Sequence, residues 1–254
     1  MWGKWTSEKQ LYYFKAVPPF TKLDDYSDDL PIEPPYRGAP KEQCSVYYFW
    51  WAYLRENEGY IQCCNEGGND KFADLYADFG DVRDDNFFGW WRHTGRDLFK
   101  EKDVPPIRRL LSANEWNPSE ETMIVAIPPT RDIDRLVGEF RKFVREQLSS
   151  NRIEIPDSTA KYPVHQRANL KSHYEQLRAY QIRKQYPDWT LEQIGYHLEA
   201  VLAEADLKLV SKPIQRSEDT DVQNAIRSDI SRKLRSAKNL IKNVGLGRFP
   251  DTTP

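Results

Sequence analysis

Apolar residues recur three and four positions apart in several stretches of the chain, which is the spacing of one face of a helix. In the front half this pattern predicts helices over 41–57, 70–79 and 84–99. Aspartates suited to N-capping stand at the start of the last two, and Gly80 is suited to ending the second. The front half is therefore predicted to be largely helical after a proline-rich, irregular start.

The clearest strand signal is the run 122–127, which is rich in apolar and β-branched residues and is followed by two prolines. A lone strand is not stable, so it needs a partner, and 11–17 is the candidate. Residues 6–15 can alternatively form a short helix. A further helix, capped by Thr130 or Asp132, carries an apolar stripe. The predicted fold class is mainly α with a small β element.

A polar segment that contains two prolines, 149–163, separates the front of the chain from the back. We expect this segment to link an acidic, aromatic-rich body at 1–150 to a basic helical region at 160–254. The back region is predicted to hold three helices. The second of them opens with a capping box, Thr190-Leu191-Glu192-Gln193.

The third helix of the back region, predicted over 221–244, has the most informative pattern in the sequence. Apolar residues follow one another by four and three positions from Val222 to Val244. The opposite arc is polar and carries no carboxylate, because Asp229 lies at its flank. The members of this arc are Arg227, Ser228, Ser231, Arg232, Arg235, Lys238, Asn239 and Lys242. Arginine and lysine can neutralise phosphates, while arginine, serine and asparagine can reach base edges.

A short capped helix followed by a basic helix is the order of a helix-turn-helix. The connection 199–220 departs from that motif because it is far longer than the usual turn of about 3–4 residues. It is either an inserted hairpin or an extension of helix. The predicted function is sequence-specific binding of duplex DNA. The competing interpretations are a solvated basic face on a helical bundle and a protein that docks on another protein.

Composition and charge further limit the kind of protein that this chain can be. The chain has 254 residues, a net charge of −2 and 13% aromatic residues. Residues 160–254 contain 16 Lys and Arg against 11 Asp and Glu, whereas the rest of the chain has a net charge of −7. Three cysteines are a poor disulfide framework, which predicts a reducing, cytoplasmic setting. The longest apolar run, 46–54, is too short to span a bilayer, which takes about 20 residues, so no membrane partner is expected.

Adjacent tryptophans occur at Trp50-Trp51 and at Trp90-Trp91. Neighbouring side chains on a helix point about 100° apart, so one core cannot easily cover both members of a pair. Exposed rings would provide a protein-binding or self-association surface on the front region. Burial of the helix on two sides is the preferred interpretation.

Several stretches resemble a loose set of proteins from proteobacteria and their phages, plasmids and integrated elements. The matching stretches are Tyr48-Phe49-Trp50-Trp51-Ala52-Tyr53-Leu54, Ala77-Asp78-Phe79-Gly80-Asp81-Val82-Arg83, and the segments 90–99, 188–195 and 231–250. That set has no assigned activity. The resemblance therefore implies a mobile-element setting and a helix-turn-helix at the C-terminus, which is compatible with a role in regulation or replication.

No motif in the sequence specifies a reaction. Five aspartates could hold Mg²⁺ in a metal-dependent nuclease, although helix capping explains several of them equally well. These are Asp74, Asp78, Asp81, Asp84 and Asp85. Cys63, Cys64 and His93 lack the spacing of a zinc site, so the cysteines are predicted to be buried thiols. No catalytic residue, cofactor or metal site is predicted.

Overall fold

The computed structural model describes residues 5–7, 10–19, 34–102, 132–150, 158–164, 168–205 and 219–254. The fold is mainly α-helical, as the sequence predicts. In chain order, the elements are β1 (Trp5–Ser7), β2 (Gln10–Tyr13), a 3₁₀ turn (Lys41–Cys44), α1 (Val46–Arg55), α2 (Glu58–Asn65), α3 (Ala73–Phe79), α4 (Phe87–Trp90), a π-helical turn (Trp91–Gly95), α5 (Arg96–Phe99), β3 (Glu101–Lys102), α6 (Ile133–Ser150), α7 (Leu170–Gln185), α8 (Leu191–Ala205) and α9 (Thr220–Val244).

The three short strands pair antiparallel in the order β1-β2-β3. Tyr13 of β2 is the partner of Glu101 in β3. The prediction of a helix over 6–15 is therefore wrong, because the aromatic and β-branched residues of this segment lie in extended strands. The strand predicted at 122–127 lies outside the described residues.

Side-chain caps fix the starts of several helices. Asn57, Asn86 and Asn169 each accept a hydrogen bond from the backbone N–H three positions later, at 3.0, 2.8 and 3.0 Å. Such a cap satisfies one of the amide groups that the first turn of a helix leaves unpaired. The α4 cap is therefore Asn86 and not Asp84 or Asp85.

The capping box predicted for α8 is confirmed. The backbone N–H of Gln193 donates to Thr190 Oγ1 at 3.3 Å, and the backbone N–H of Thr190 donates to Gln193 Oε1 at 2.8 Å. The α9 cap lies two residues before the predicted one, because the Asp219 carboxylate accepts the backbone N–H of Asp221 at 2.9 Å. Helix α2 was missed by the sequence pattern, since its apolar residues are few.

One hydrophobic core is built from both the front and the back of the chain. The front supplies the aromatic side chains of α1, all of which except Tyr48 are buried, together with Phe79 and Phe99. From the back, Leu177 of α7 and Leu240 of α9 belong to the same cluster. We term this cluster the shared core. A second cluster joins α7, α8 and α9 through Ala179, Ile182, Ile194, Leu198, Ile230 and Leu234.

The structure divides the chain into two compact units that differ from the predicted regions. Residues Met1–Asp103 and Thr159–Pro254 form one unit, and Val104–Ser158 form the other, which includes α6. One boundary, after Ser158, lies inside the segment 149–163 predicted as a linker. The end of that segment is nevertheless anchored, because the buried Glu101 carboxylate accepts the backbone N–H of Thr159 at 2.6 Å and of Ala160 at 3.0 Å.

Candidate nucleic-acid interface and a polar cavity

Helix α9 is held against the body of the protein along one face. Its buried residues are Ile230, Leu234, Ala237, Leu240, Asn243 and Val244. Most of these belong to the predicted apolar stripe, but Leu240 and Asn243 were not part of it. At the N-terminal end the stripe is less covered: Ile226 is half-buried and Val222 is 42% exposed. The helix is thus fixed mainly by its C-terminal two-thirds.

The predicted DNA-binding arc lies on the opposite, solvent-facing side of α9. Arg227, Ser228, Arg232, Arg235, Lys238 and Lys242 are exposed, and Ser231 and Asn239 are half-buried. We term these residues the basic face. The basic face extends over about 22 Å along the helix, at a rise of about 1.5 Å per residue.

Ion pairs occupy the N-terminal half of the basic face. Arg227 pairs with Glu192 of α8, and this contact lowers the pKa of the Glu192 carboxyl. Arg232 donates to Asp229 at 2.6 Å, and Lys233 contacts the same carboxylate. Partial burial alone would raise the pKa of Asp229, but the hydrogen bonds from Lys233 and Arg232 outweigh it and hold the pKa below its usual value.

The C-terminal half of the basic face is more open. Within the part of the chain that the structure describes, no ion pair joins Arg235, Lys238 or Lys242 to a carboxylate. Asn239 has a structural partner, since its Nδ2 donates to the Thr252 carbonyl at 2.8 Å. Among the predicted residues, the three cations are therefore the best placed to meet an external anion.

Helices α8 and α9 approach closely at Gly195. A Cβ added to this glycine would collide with the Cγ2 methyl of Ile226. Helix α8 continues to Ala205, so part of the long connection 199–220 is an extension of helix. Residues 206–218 of that connection lie outside the described ranges.

The acidic cluster of the front region does not converge on one point. Asp78 accepts hydrogen bonds from Lys161 and from the Tyr162 hydroxyl, the latter at 2.6 Å. Asp81 pairs with Arg83, and Asp85 pairs with Arg55. No group of three or more histidine, cysteine, aspartate or glutamate side chains is arranged to hold a metal ion among the residues that the structure describes.

The front aromatic and sulfur side chains are largely internal. Trp50 and Trp51 are 0% and 2% exposed, which confirms that α1 is covered on two sides. Trp91 is buried as well and Trp90 is half-buried. These rings therefore do not form the exposed surface that was considered for self-association. Cys63 and Cys64 are buried free thiols, as predicted.

A polar cavity of about 460 Å³ lies between α1 and α7. We term it the α1–α7 cavity. Its lining residues are Gln43, Tyr48, Phe49, Trp51, Ala52, Arg55, Glu56, Tyr174, Leu177, Arg178, Gln181 and Lys184. No sequence motif marks this set. Its only signal is the run of polar residues Arg178, Gln181 and Lys184, which recur at helical spacing on a helix that is otherwise packed against the core.

Hydrogen bonds organise one side of the cavity. Gln181 Nε2 donates to Glu56 Oε1 at 2.8 Å, and Lys184 Nζ lies 3.2 Å from Glu56 Oε2. Arg178 Nη1 donates to Gln181 Oε1 at 2.9 Å. The guanidinium of Arg55 lies over the Trp51 ring, with 4.5 Å from Cζ to the ring centroid.

Comparison of the chain with protein-family models, with curated proteins and with solved structures finds no match. None of the helices in the described ranges combines the length and apolar character needed to cross a membrane.

Proposed function

We propose that the protein binds duplex DNA through the basic face of α9. The observation that carries this proposal is the exposure of Arg235, Lys238 and Lys242 on a helix whose other side is fixed in the core. A row of cations on a rigid helix can follow a phosphate backbone without a large ordering cost. The helices α7, α8 and α9 pack against one another, which supports the helix-turn-helix interpretation.

The residues of the basic face have different roles in this proposal. Arg235 lies at the middle of the face and is the side chain for base edges, because arginine can contact guanine through two hydrogen bonds. Lys238 and Lys242 contact phosphates. Arg232 must exchange its contact with Asp229 for one with DNA. Asn239 holds the C-terminal segment instead of a base.

We place this activity in a mobile genetic element, in the regulation or replication of its DNA, within the cytoplasm. The resemblance to phage and plasmid proteins supports that setting. The net charge of −2 favours recognition of a specific site over general attraction to DNA. The proposal assigns no catalytic step, cofactor or metal to the protein.

The test begins with selection of bound sequences from a random duplex library, followed by fluorescence anisotropy over a salt series. Arg235→Ala should weaken binding of the selected site by about 1–3 kcal/mol. Replacing Lys238 and Lys242 together with Ala should weaken selected and random duplexes alike. This double variant should also reduce the salt dependence by about one unit per lysine.

A matched control is Arg92→Ala, which removes an exposed cation from the front of the chain. This variant should bind DNA as the wild type does. Failure of the wild-type protein to bind any duplex at low salt would overturn the proposal, and so would an equal loss in Arg92→Ala. Circular dichroism of each variant checks that folding is unchanged, since no buried side chain is altered.

Docking on a host or viral protein is the second candidate function. It is favoured by apolar side chains of α6 that remain uncovered: Ile133, Val137 and Phe143 are 67%, 40% and 37% exposed. Exposed apolar groups on one helix are a common basis for protein recognition. If Val137→Glu abolished capture of a partner while leaving DNA binding unchanged, the two functions would be separate.

A further inference from the structure

Two carboxylates of the fold are paired with arginines of the basic face. Glu192 of α8 contacts Arg227, and Asp229 of α9 accepts a hydrogen bond from Nη2 of Arg232 at 2.6 Å. The two arginine side chains are nevertheless 48% and 75% exposed. They are therefore within reach of an external anion, but each already has an anionic partner.

Contacts with the body of the protein hold both carboxylates in place. Glu192 lies in the first turn of α8, within its capping box, and its side chain is largely covered. Asp229 also contacts Lys233, whose Nζ lies 3.3 Å from a carboxylate oxygen of Glu175 in α7. A carboxylate that the fold has already positioned competes well for an arginine, because pairing then costs less side-chain entropy.

A duplex phosphate can bind either arginine only by displacing its carboxylate, so one ion pair is exchanged for another and little free energy is gained. Arg235, Lys238 and Lys242 have no such competitor among the residues that the structure describes. We propose that Glu192 and Asp229 act as internal competitors, which weaken the attraction of the basic face for duplex phosphates. This inference rests on the proposed function, because it takes the basic face to be the surface that meets DNA.

Retention on a heparin column tests this competition with a polyanion other than DNA. Asp229→Asn and Glu192→Gln should each elute at a higher salt concentration than the wild type, because each variant frees one arginine of the basic face. Asp74→Asn is the matched control, since it removes an exposed carboxylate of α3 and changes the net charge equally. A variant that eluted together with Asp74→Asn would lose its assignment as a competitor.

Two double variants show which cation is freed by Asp229→Asn. Both have the net charge of the wild type. Adding Arg232→Ala to Asp229→Asn should cancel the gain in heparin retention, whereas adding Arg92→Ala, which removes an exposed cation from the front of the chain, should preserve it. Circular dichroism checks the folding of each protein. Equal retention of the two double variants would show that net charge, and not the release of Arg232, explains the gain.

Fluorescence anisotropy with a random duplex separates this inference from the proposed function. Asp229→Asn should bind up to about fivefold more tightly than the wild type at low salt, which is the strength of an exposed ion pair. The logarithm of its binding constant should also fall more steeply with the logarithm of salt concentration, by about 0.9. If the wild type binds duplex and Asp229→Asn behaves as Asp74→Asn does, the inference fails and the proposed function stands. If neither binds duplex but heparin retention changes as expected, the proposed function fails and the internal competition stands.

Discussion

His173 is a buried imidazole in an aromatic environment. Its ring centroid lies 5.3 Å from that of Phe249 and 6.1 Å from that of Phe49. Its backbone carbonyl accepts the Tyr53 hydroxyl at 2.9 Å, which ties α7 to α1. Burial lowers the pKa of this histidine from 6.5 to about 4, because the cationic form would lose its hydration.

We expect this histidine to make folding sensitive to mild acid. Above pH 6.5 the imidazole is neutral in both the folded and the unfolded chain, so it contributes nothing to pH dependence. As the pH falls from 6.5 towards about 4, the unfolded chain binds a proton that the folded chain does not. Stability should therefore fall over this window by about 3 kcal/mol from His173 alone.

Urea unfolding of the wild type and of His173→Phe at neutral pH and near pH 4 measures this contribution. As the pH falls, the free energy of unfolding of the wild type should decrease relative to that of His173→Phe. His93 is exposed, so His93→Phe should keep the wild-type pH dependence. Parallel pH profiles for the wild type and His173→Phe would show that His173 is not the sensitive group.

Gly195 determines how closely α8 can approach α9. Glycine within a helix normally costs up to about 1 kcal/mol relative to alanine, yet here a Cβ would collide with Ile226. Gly195→Ala should therefore be destabilising: the expected overpacking cost of about 1–3 kcal/mol exceeds the gain in helix propensity. Thermal unfolding monitored by circular dichroism measures the net effect.

Gly138 of α6 provides the matched control for this substitution. It is also inside a helix, but an added Cβ would meet no atom within 4 Å. Gly138→Ala should consequently leave stability unchanged or increase it. If Gly195→Ala also proved stabilising, the close approach of α8 and α9 would not constrain the fold.

At the level of helices, the sequence predicted features that depend on neighbouring residues better than it predicted how the helices pack together. The capping box at Thr190 and the apolar stripe of α9 depend on neighbouring residues, so the sequence contains them directly. Helix α2 was not predicted because only Tyr60, Cys63 and Cys64 of its residues are buried, which gives a weak periodic signal. The basic face was predicted as a set. The ion pair of Arg227 with Glu192 was not, because it depends on how α8 packs on α9.

At the level of the whole molecule, charge and composition suggested two regions that the structure does not separate. The acidic front and the basic back contribute to one shared core. Trp50 and Phe249 have ring centroids 5.7 Å apart, and Asn57 Nδ2 donates to the Ile241 carbonyl of α9 at 2.8 Å. Net charge is a property of the surface, so it carries no information about which helices share a core.

The sequence did not predict the α1–α7 cavity, because the cavity forms only when two helices pack together. Its walls come from helices that are far apart in the sequence, and neither wall alone resembles a binding motif. Arg178 and Trp51 line one cavity only when α7 packs on α1. A pattern taken along one helix cannot contain this information.

The shared core predicts that the two halves of the chain do not fold separately. A protease site introduced into 151–157 would allow the chain to be cut into a front and a back fragment. The cut protein should remain a single species in size-exclusion chromatography and should keep its near-ultraviolet circular dichroism. Each fragment alone should lose that signal, since separation would expose the aromatic side chains of α1 and the buried face of α9.

Two substitutions on α9 test whether its buried face holds the fragments together. Ala237 is fully buried in the shared core, so Ala237→Arg should cause the cut fragments to separate, because an unpaired buried charge is strongly destabilising. Ala225 is exposed on the same helix, and Ala225→Arg should leave the fragments associated. A front fragment that kept a native near-ultraviolet spectrum without its partner would contradict the shared core and support the two separate regions expected from charge.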